Sequence, residues 1–221
     1  EMQRSLVGSE MCIRDRTVEE ARHITFQSPN CLILVRTALR PRPLGLKESE
    51  FALLNGRVNM ITKRPVRLQT LSMLDLQMRT VFWDIGSCTG SVSIEAKSLY
   101  PELEVIAFER RPEGAELLRA NSVKWGTPGI RFVGGDFMEQ SLADLPRPDA
   151  VFIGGHGGRL QELLKRADEV LFPGGVIVFN SVSEDSLQQF YEGVAQTGRR
   201  VTERIRLVVD AHNPIEILKA E

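Results

Sequence analysis

The chain has 221 residues, 42% of them hydrophobic, and a formal net charge of −1. That length accommodates one large domain, or one domain and a fragment, and the charge balance weighs against a surface built mainly for nucleic-acid phosphates. No apolar run approaches the roughly 20 residues of a bilayer span, and no secretory signal is visible.

The leading stretch "SLVGSEMCIRDR", Ser5 to Arg16, resembles translated sequencing-adapter read-through; an ordinary polar leader is the alternative, and residues 1–16 are read as carrying no fold information. Three scattered cysteines, Cys12, Cys31 and Cys88, form no CxxC pair or Cys/His cluster. Neither a disulfide framework nor a metal site is indicated, and a reducing cytoplasm is expected. "CLILVR", Cys31 to Arg36, predicts a short apolar strand, followed by "RPRPLG", whose prolines favour an extended linker. The strand reads either as the tail of an upstream domain or as an addition to the edge of the main sheet. In "NMITKRPVRLQTLSML", Thr62 is the expected N-cap of a helix with Pro65 in its first turn.

From there strand and helix alternate. "TVFWDI" precedes "SVSIEAKSLY", and "LEVIAFE" precedes "PEGAELLRANSVKWG". "IRFVGGD" leads to a short turn, "DAVFIGG" to "GRLQELLKRADEVLF", and "GGVIVFN" to "SEDSLQQFYEGVAQTG". This is the pattern of parallel βαβ units, an α/β doubly wound sheet covered on both faces. The rhythm ends with "RRVTERIRLVVD" and "NPIEILKA", joined only by "AHNP", which predicts an antiparallel C-terminal hairpin.

Ligands of such sheets bind beyond the carboxyl ends of the strands, so the glycine turn after the first strand is the place to look. "GSCTGS" lacks the lysine of a P-loop, and Cys88 stands where a dinucleotide fingerprint has its second glycine. "DIGSCTG" fits best the acidic-residue-x-Gly-x-Gly-x-Gly loop of class I S-adenosylmethionine (SAM)-dependent methyltransferases, a Rossmann-like fold, again except at Cys88. Glu109 ends the second strand, where a carboxylate can accept two ribose hydroxyls. Asp136 ends the third, where one can accept an adenine amine.

Taken together, "GLKESEFALLNGRVNMITKRPVR", "WDIGSCTGSVSIEA", "PDAVFIGGHGG" and "FNSVSED…NPIEILKA" resemble the decarboxylating, carbon-15-methylating part of the precorrin-6Y methyltransferases of cobalamin biosynthesis. The resemblance covers residues 46–221. Residues 17–45 resemble the end of the tetrapyrrole methylase domain that precedes this part in many organisms. It implies SAM as cofactor, a precorrin as substrate, no nucleic acid or membrane, and a homo-oligomer, often a tetramer. By matching motif it places Thr62, Gly86, Ser87, Cys88, Thr89, Gly90, Glu109, Asp136 and Phe137 at the cofactor.

Cys88 itself reads as a buried small hydrophobe rather than a reactive thiol. "GGHGGR" is expected to border the methyl donor, with Gly155, Gly157 and Arg159 at the substrate. His156 there either orients a carboxylate or transfers a proton; a solvated turn is the plainer reading. A precorrin carries many carboxylates, which makes Lys63, Arg64, Arg67, Arg204 and Arg206 further candidate partners. An RNA or protein methyltransferase of the same fold is the alternative, disfavoured because "GGHGG" stands where amino-methylating enzymes have [N/D]PP[Y/F]. A catalytically silent SAM-binding or docking domain is disfavoured by retention of the loop, Glu109 and Asp136.

Overall fold

The computed structural model describes residues 16–29, 31, 33, 35, 43–210 and 214–221. The chain divides into two units, Glu1–Pro41 and Arg42–Glu221. The described part of the first holds a short helix, α1 (Val18–Ala21), opened by a capping box between Thr17 and Glu20. The strand expected at Cys31–Arg36 does not appear at its described residues, Cys31, Ile33 and Val35. These are exposed, Ile33 at 82%, so their apolar character finds no face to bury against. Leu32, Leu34 and Arg36 lie outside the described residues, as do most of the leader, residues 40–42 of the expected linker and 211–213 of the expected hairpin connection.

In the second unit, seven strands form one sheet: β1 (Val81–Ile85), β2 (Glu104–Glu109), β3 (Ile130–Gly134), β4 (Ala150–Ile153), β5 (Val176–Ser181), β6 (Val201–Leu207) and β7 (Ile215–Ala220). Their order in space is β3-β2-β1-β4-β5-β7-β6. The first five pair in parallel, while β7 runs antiparallel to both β5 and β6. This is the mostly parallel class I methyltransferase sheet with its terminal hairpin, as the alternation of elements predicts. No described helix is long and apolar enough to cross a membrane.

Strands β1, β2, β4, β5 and β7 carry buried apolar residues on both faces, as strands under two helix layers must, whereas β6 is largely exposed. Trp83, Ile106, Val151, Ile177 and Leu218 face α5 (Leu160–Val170) and α6 (Glu184–Gln196). Phe82, Val105, Phe152, Val178 and Ile217 face α2 (Arg64–Met73) and α3 (Ser91–Leu99). The remaining helix, α4 (Gly114–Trp125), packs Leu118 with Ile94 and Ala107. Each buried valine, leucine, isoleucine or phenylalanine among these contributes about 1.5–3 kcal/mol.

The start of α2 departs from expectation. Its N-cap is Lys63 rather than Thr62, and no side chain of the cap residue closes it. The carboxylate of Glu48 does so instead, accepting the Arg64 N–H from 16 residues upstream. Pro65 sits in the first turn as expected. Arg67 is also unlike its expectation: it is wholly buried and ion-paired to Glu95 at 2.5 Å, and it donates to the carbonyls of Thr62 (2.6 Å) and Leu46. Glu95 in turn accepts the N–H groups of Gly45 and Leu46. Arg67 therefore fastens the segment before α2 to α3 and has no freedom to meet a substrate.

Candidate functional site

The sheet order reverses between β1 and β4, because β2 and β3 lie to one side and β5 to the other. A crevice at that switch point is the usual ligand site of an open α/β sheet. Here β1 runs into Gly86, which turns left-handed at φ 81°. The N–H groups of Gly86 and Ser87 both donate to the Phe108 carbonyl, each at 2.9 Å. A Cβ on Gly86 would stand 2.6 Å from the nitrogen of Gly155 and 2.9 Å from its Cα. The turn after β4 is held there by the N–H groups of Gly154 and Gly155, which donate to the Ile85 carbonyl at 2.8 and 3.3 Å. The two loops meet backbone to backbone, and only glycine permits it.

Cys88 is also left-handed, at φ 49°, the conformation for which the middle glycine of such loops is suited. A side chain there costs about 1–2 kcal/mol. The Cys88 N–H donates to Glu109 Oε2 at 2.9 Å, and its Sγ donates to the Met60 carbonyl at 3.2 Å. Burial, and then the charge of Glu109, push the thiol pKa up, so it stays a protonated, packed group.

Gly90, at φ 72°, precedes α3 without a side-chain cap, and a Cβ on it would come within 2.2 Å of Leu118. The capping carboxylate comes from the preceding strand. Asp84 accepts the Ser93 N–H at 3.1 Å and the Ser93 hydroxyl at 2.6 Å. Burial outweighs these bonds and pushes the Asp84 pKa up to about 6. The sequence marks Asp84 only as the acidic residue of the loop; the structure makes it the tie between β1 and α3.

Glu109, 3% exposed, accepts the Arg111 N–H at 2.9 Å as well as that of Cys88. The Arg111 guanidinium reaches the same carboxylate at 3.2 Å. At the end of β3, Asp136 caps the turn Phe137–Glu139 by accepting the Met138 N–H at 2.9 Å, and its second oxygen lies 3.9 Å from Arg159. Phe137 is buried edge-on against Phe108. His156 is half-buried, edge-on to Phe179 at 5.9 Å; its Nδ1 accepts the Gly158 N–H at 3.3 Å. Burial lowers its pKa below the usual imidazole value.

These groups surround one cavity of about 720 Å³, a volume typical of small-molecule sites. Every site residue expected from the sequence lines it except Gly90, which lies behind the loop and supports α3. Of the further basic candidates Lys63 lines it, whereas Arg64 does not, and Arg204 and Arg206 pair with Glu216 in the hairpin at 3.0 and 3.6 Å. The lining also contains residues the sequence did not single out: Met60, Arg110, Asn180, Val182, Val209 and Ile215. Asn180 was legible within "FNSVSED", but the apolar positions carry no local signal. By the sheet order, Glu109 and Asp136 stand on the β2–β3 side, and Asn180, Val182, Val209 and Ile215 on the β5–β7 side. The two carboxylates thus stand toward one side of the cavity, with Phe108, Phe137 and Met138 beside them, and Val182, Val209 and Ile215 stand toward the other with Asn180.

The family model that matches the chain, over residues 56–219, is a precorrin methyltransferase domain. The precorrin-6Y C(5,15)-methyltransferase (decarboxylating) of Sinorhizobium sp. is 42% identical over 125 residues, which are 57% of this chain and 30% of that protein, so the chain spans under a third of it. The cobalt-precorrin-6B C(15)-methyltransferase (decarboxylating) of Salmonella typhimurium is 33% identical over 162 residues, 73% of this chain and 83% of that one. Among solved structures, precorrin-6Y C5,15-methyltransferase from Geobacter metallireducens superposes with a TM-score of 0.74 at 38% identity, covering 83% of this chain and 99% of that chain.

Proposed function

Because this chain belongs to the precorrin methyltransferase family, we propose that residues 46–221 methylate carbon 15 of a precorrin, using SAM, and remove carbon dioxide from its ring C acetate arm. The observation that carries the proposal is the β1–β4 cavity, with two strand-end carboxylates beside a left-handed loop on one side and an apolar wall on the other. The carbon-5 reaction in the Sinorhizobium relative's name is left outside the proposal, because the match covers 30% of that protein.

The residues present fit SAM. Ser87 Oγ and Thr89 Oγ1 are buried on the loop without hydrogen-bond partners among the described residues, which suits the polar amino-acid end of such a cofactor. Oε2 of Glu109 takes the Cys88 N–H and retains a lone pair for a ribose hydroxyl, whereas Oε1 already takes both the Arg111 N–H and its guanidinium. When bound, SAM supplies a methyl group already electrophilic on its sulfonium. The chain therefore needs no strong base; its tasks are alignment and exclusion of water.

His156 holds the acetate carboxylate in this reading. With Nδ1 accepting from Gly158, the neutral ring carries its proton on Nε2, a donor suited to a carboxylate. Its lowered pKa keeps it neutral near pH 7. As carbon dioxide leaves, the electron pair of the broken C–C bond passes to the arm's methylene and is delocalised into the macrocycle. An apolar wall built by Val182, Val209 and Ile215 suits that spread of charge. SAM calorimetry followed by turnover of a precorrin is the test, and one carbon dioxide per methyl transferred is expected. Tight SAM binding with turnover of an RNA or protein and none of the precorrin would overturn the proposal.

A further inference from the structure

Four cations line the cavity: Lys63, Arg110, Arg111 and Arg159. Three of them are engaged. Arg111 pairs with Glu109 at 3.2 Å, Arg159 with Glu162 at 3.0 Å, and Lys63 donates to the Val58 carbonyl at 3.0 Å. Arg110 is different. Among the described residues its guanidinium has no ion-pair or hydrogen-bond partner, although it is an exposed residue at the rim of a cavity.

Its position is set by the fold. Arg110 directly follows β2, yet its Nη1 lies 3.4 Å from where a Cβ on Gly157 would stand, in the turn after β4. Since β1 separates β2 from β4 in the sheet, the side chain reaches across the carboxyl end of β1, over the switch point. Gly157 is left-handed at φ 56°, and having no side chain leaves the guanidinium room against the turn. That turn also carries His156. A cation held across a crevice, with no carboxylate of its own, is arranged to receive an anionic group from a ligand.

We infer that Arg110 is a specificity-determining residue that binds a carboxylate arm of the acceptor macrocycle at the mouth of the cavity. The inference rests on the proposed function for its ligand, a polycarboxylate tetrapyrrole. Guanidinium is the better group for the task than ammonium, because it can meet both oxygens of a carboxylate in one plane.

The test compares wild type with Arg110→Gln and Arg110→Lys. SAM affinity is measured by calorimetry, and acceptor binding by titration with uroporphyrin, a stable tetrapyrrole with eight carboxylates, followed by its absorbance. Being exposed and unpaired, Arg110 is replaceable without loss of fold, which an unchanged melting temperature verifies. Arg110→Gln is expected to weaken uroporphyrin binding about tenfold or more while leaving SAM affinity within about twofold, and Arg110→Lys to recover part of the loss. Weaker SAM binding with unchanged uroporphyrin binding would place Arg110 on the donor and overturn the inference. Unchanged affinity for both would overturn it as well. Wild type that binds SAM but not uroporphyrin would refute both the inference and the tetrapyrrole reading. Wild type that binds both, with Arg110→Gln equal to it, would refute the inference and leave the proposed function standing.

Discussion

Two glycines with the same backbone and different surroundings measure how closely the β1 loop and the β4 turn are fitted. Gly86 and Gly174 are left-handed at φ 81° and 75°. In both, alanine incurs the left-handed penalty of about 1–2 kcal/mol, offset by about 0.4–1 kcal/mol from the reduced freedom of the unfolded chain. Around Gly174 a Cβ would meet nothing within 4 Å, whereas at Gly86 it would stand 2.6 Å from a backbone nitrogen that cannot rotate aside. Pushing two backbones apart adds about 1–3 kcal/mol. Gly174→Ala should therefore cost about 0–1.6 kcal/mol, and Gly86→Ala about 1–4.6 kcal/mol, the difference being the backbone contact. For a unit of this size that is about 2–18 °C in melting temperature for Gly86→Ala. Urea denaturation followed by circular dichroism gives both values, and calorimetry should show SAM affinity falling only in Gly86→Ala. Equal destabilisation by the two substitutions would refute the argument that backbone contact, rather than φ alone, demands glycine at residue 86.

Glu109→Gln keeps the volume of the side chain but removes its charge, and should weaken SAM binding by about 1–3 kcal/mol; unchanged calorimetric affinity in a folded variant would remove Glu109 from the cofactor site. Asp84, with a folded-state pKa of about 6 against about 4 unfolded, stabilises fully below about pH 4 and loses that contribution as pH rises through about 6. Asp84→Asn should consequently gain about 2–3 kcal/mol on wild type between about pH 4 and about pH 8, and a constant difference across that range would show that the carboxyl is not the titrating group. Deleting residues 1–16 should leave melting temperature and SAM affinity unchanged, and a large loss of either would make the leader part of the fold.

The alternation of elements was legible because period and composition are local properties of the chain. Trp83 alternates with Phe82, and "DIGSCTG" turns sharply into a helix, so the sheet and its loop follow from short stretches. What escaped reading depends on distant partners. Thr62 has the side chain of a cap, but Glu48 reaches the open N–H first, from a segment whose position only the fold sets. Arg67 has the composition of a surface charge, and Glu95, 28 residues away, draws it into the core. The apolar wall of the cavity is assembled from Val182, Val209 and Ile215. Each is unremarkable in its own stretch, because nothing along the chain says that the β5 end and the hairpin share a wall.

The place of β7 has a consequence for synthesis. It lies between β5 and β6, although it follows both in the chain. A growing chain thus produces β6 before the strand that holds it, and during that interval β5 presents a row of unpaired backbone groups. Unpaired edges are where nascent proteins stick to one another. Thr202, Glu203, Arg204 and Arg206 are exposed on β6, so the strand that must wait is a charged one. Its charges keep it in water until β7 arrives, and the wall of the cavity that Ile215 begins is among the last parts of the molecule to form.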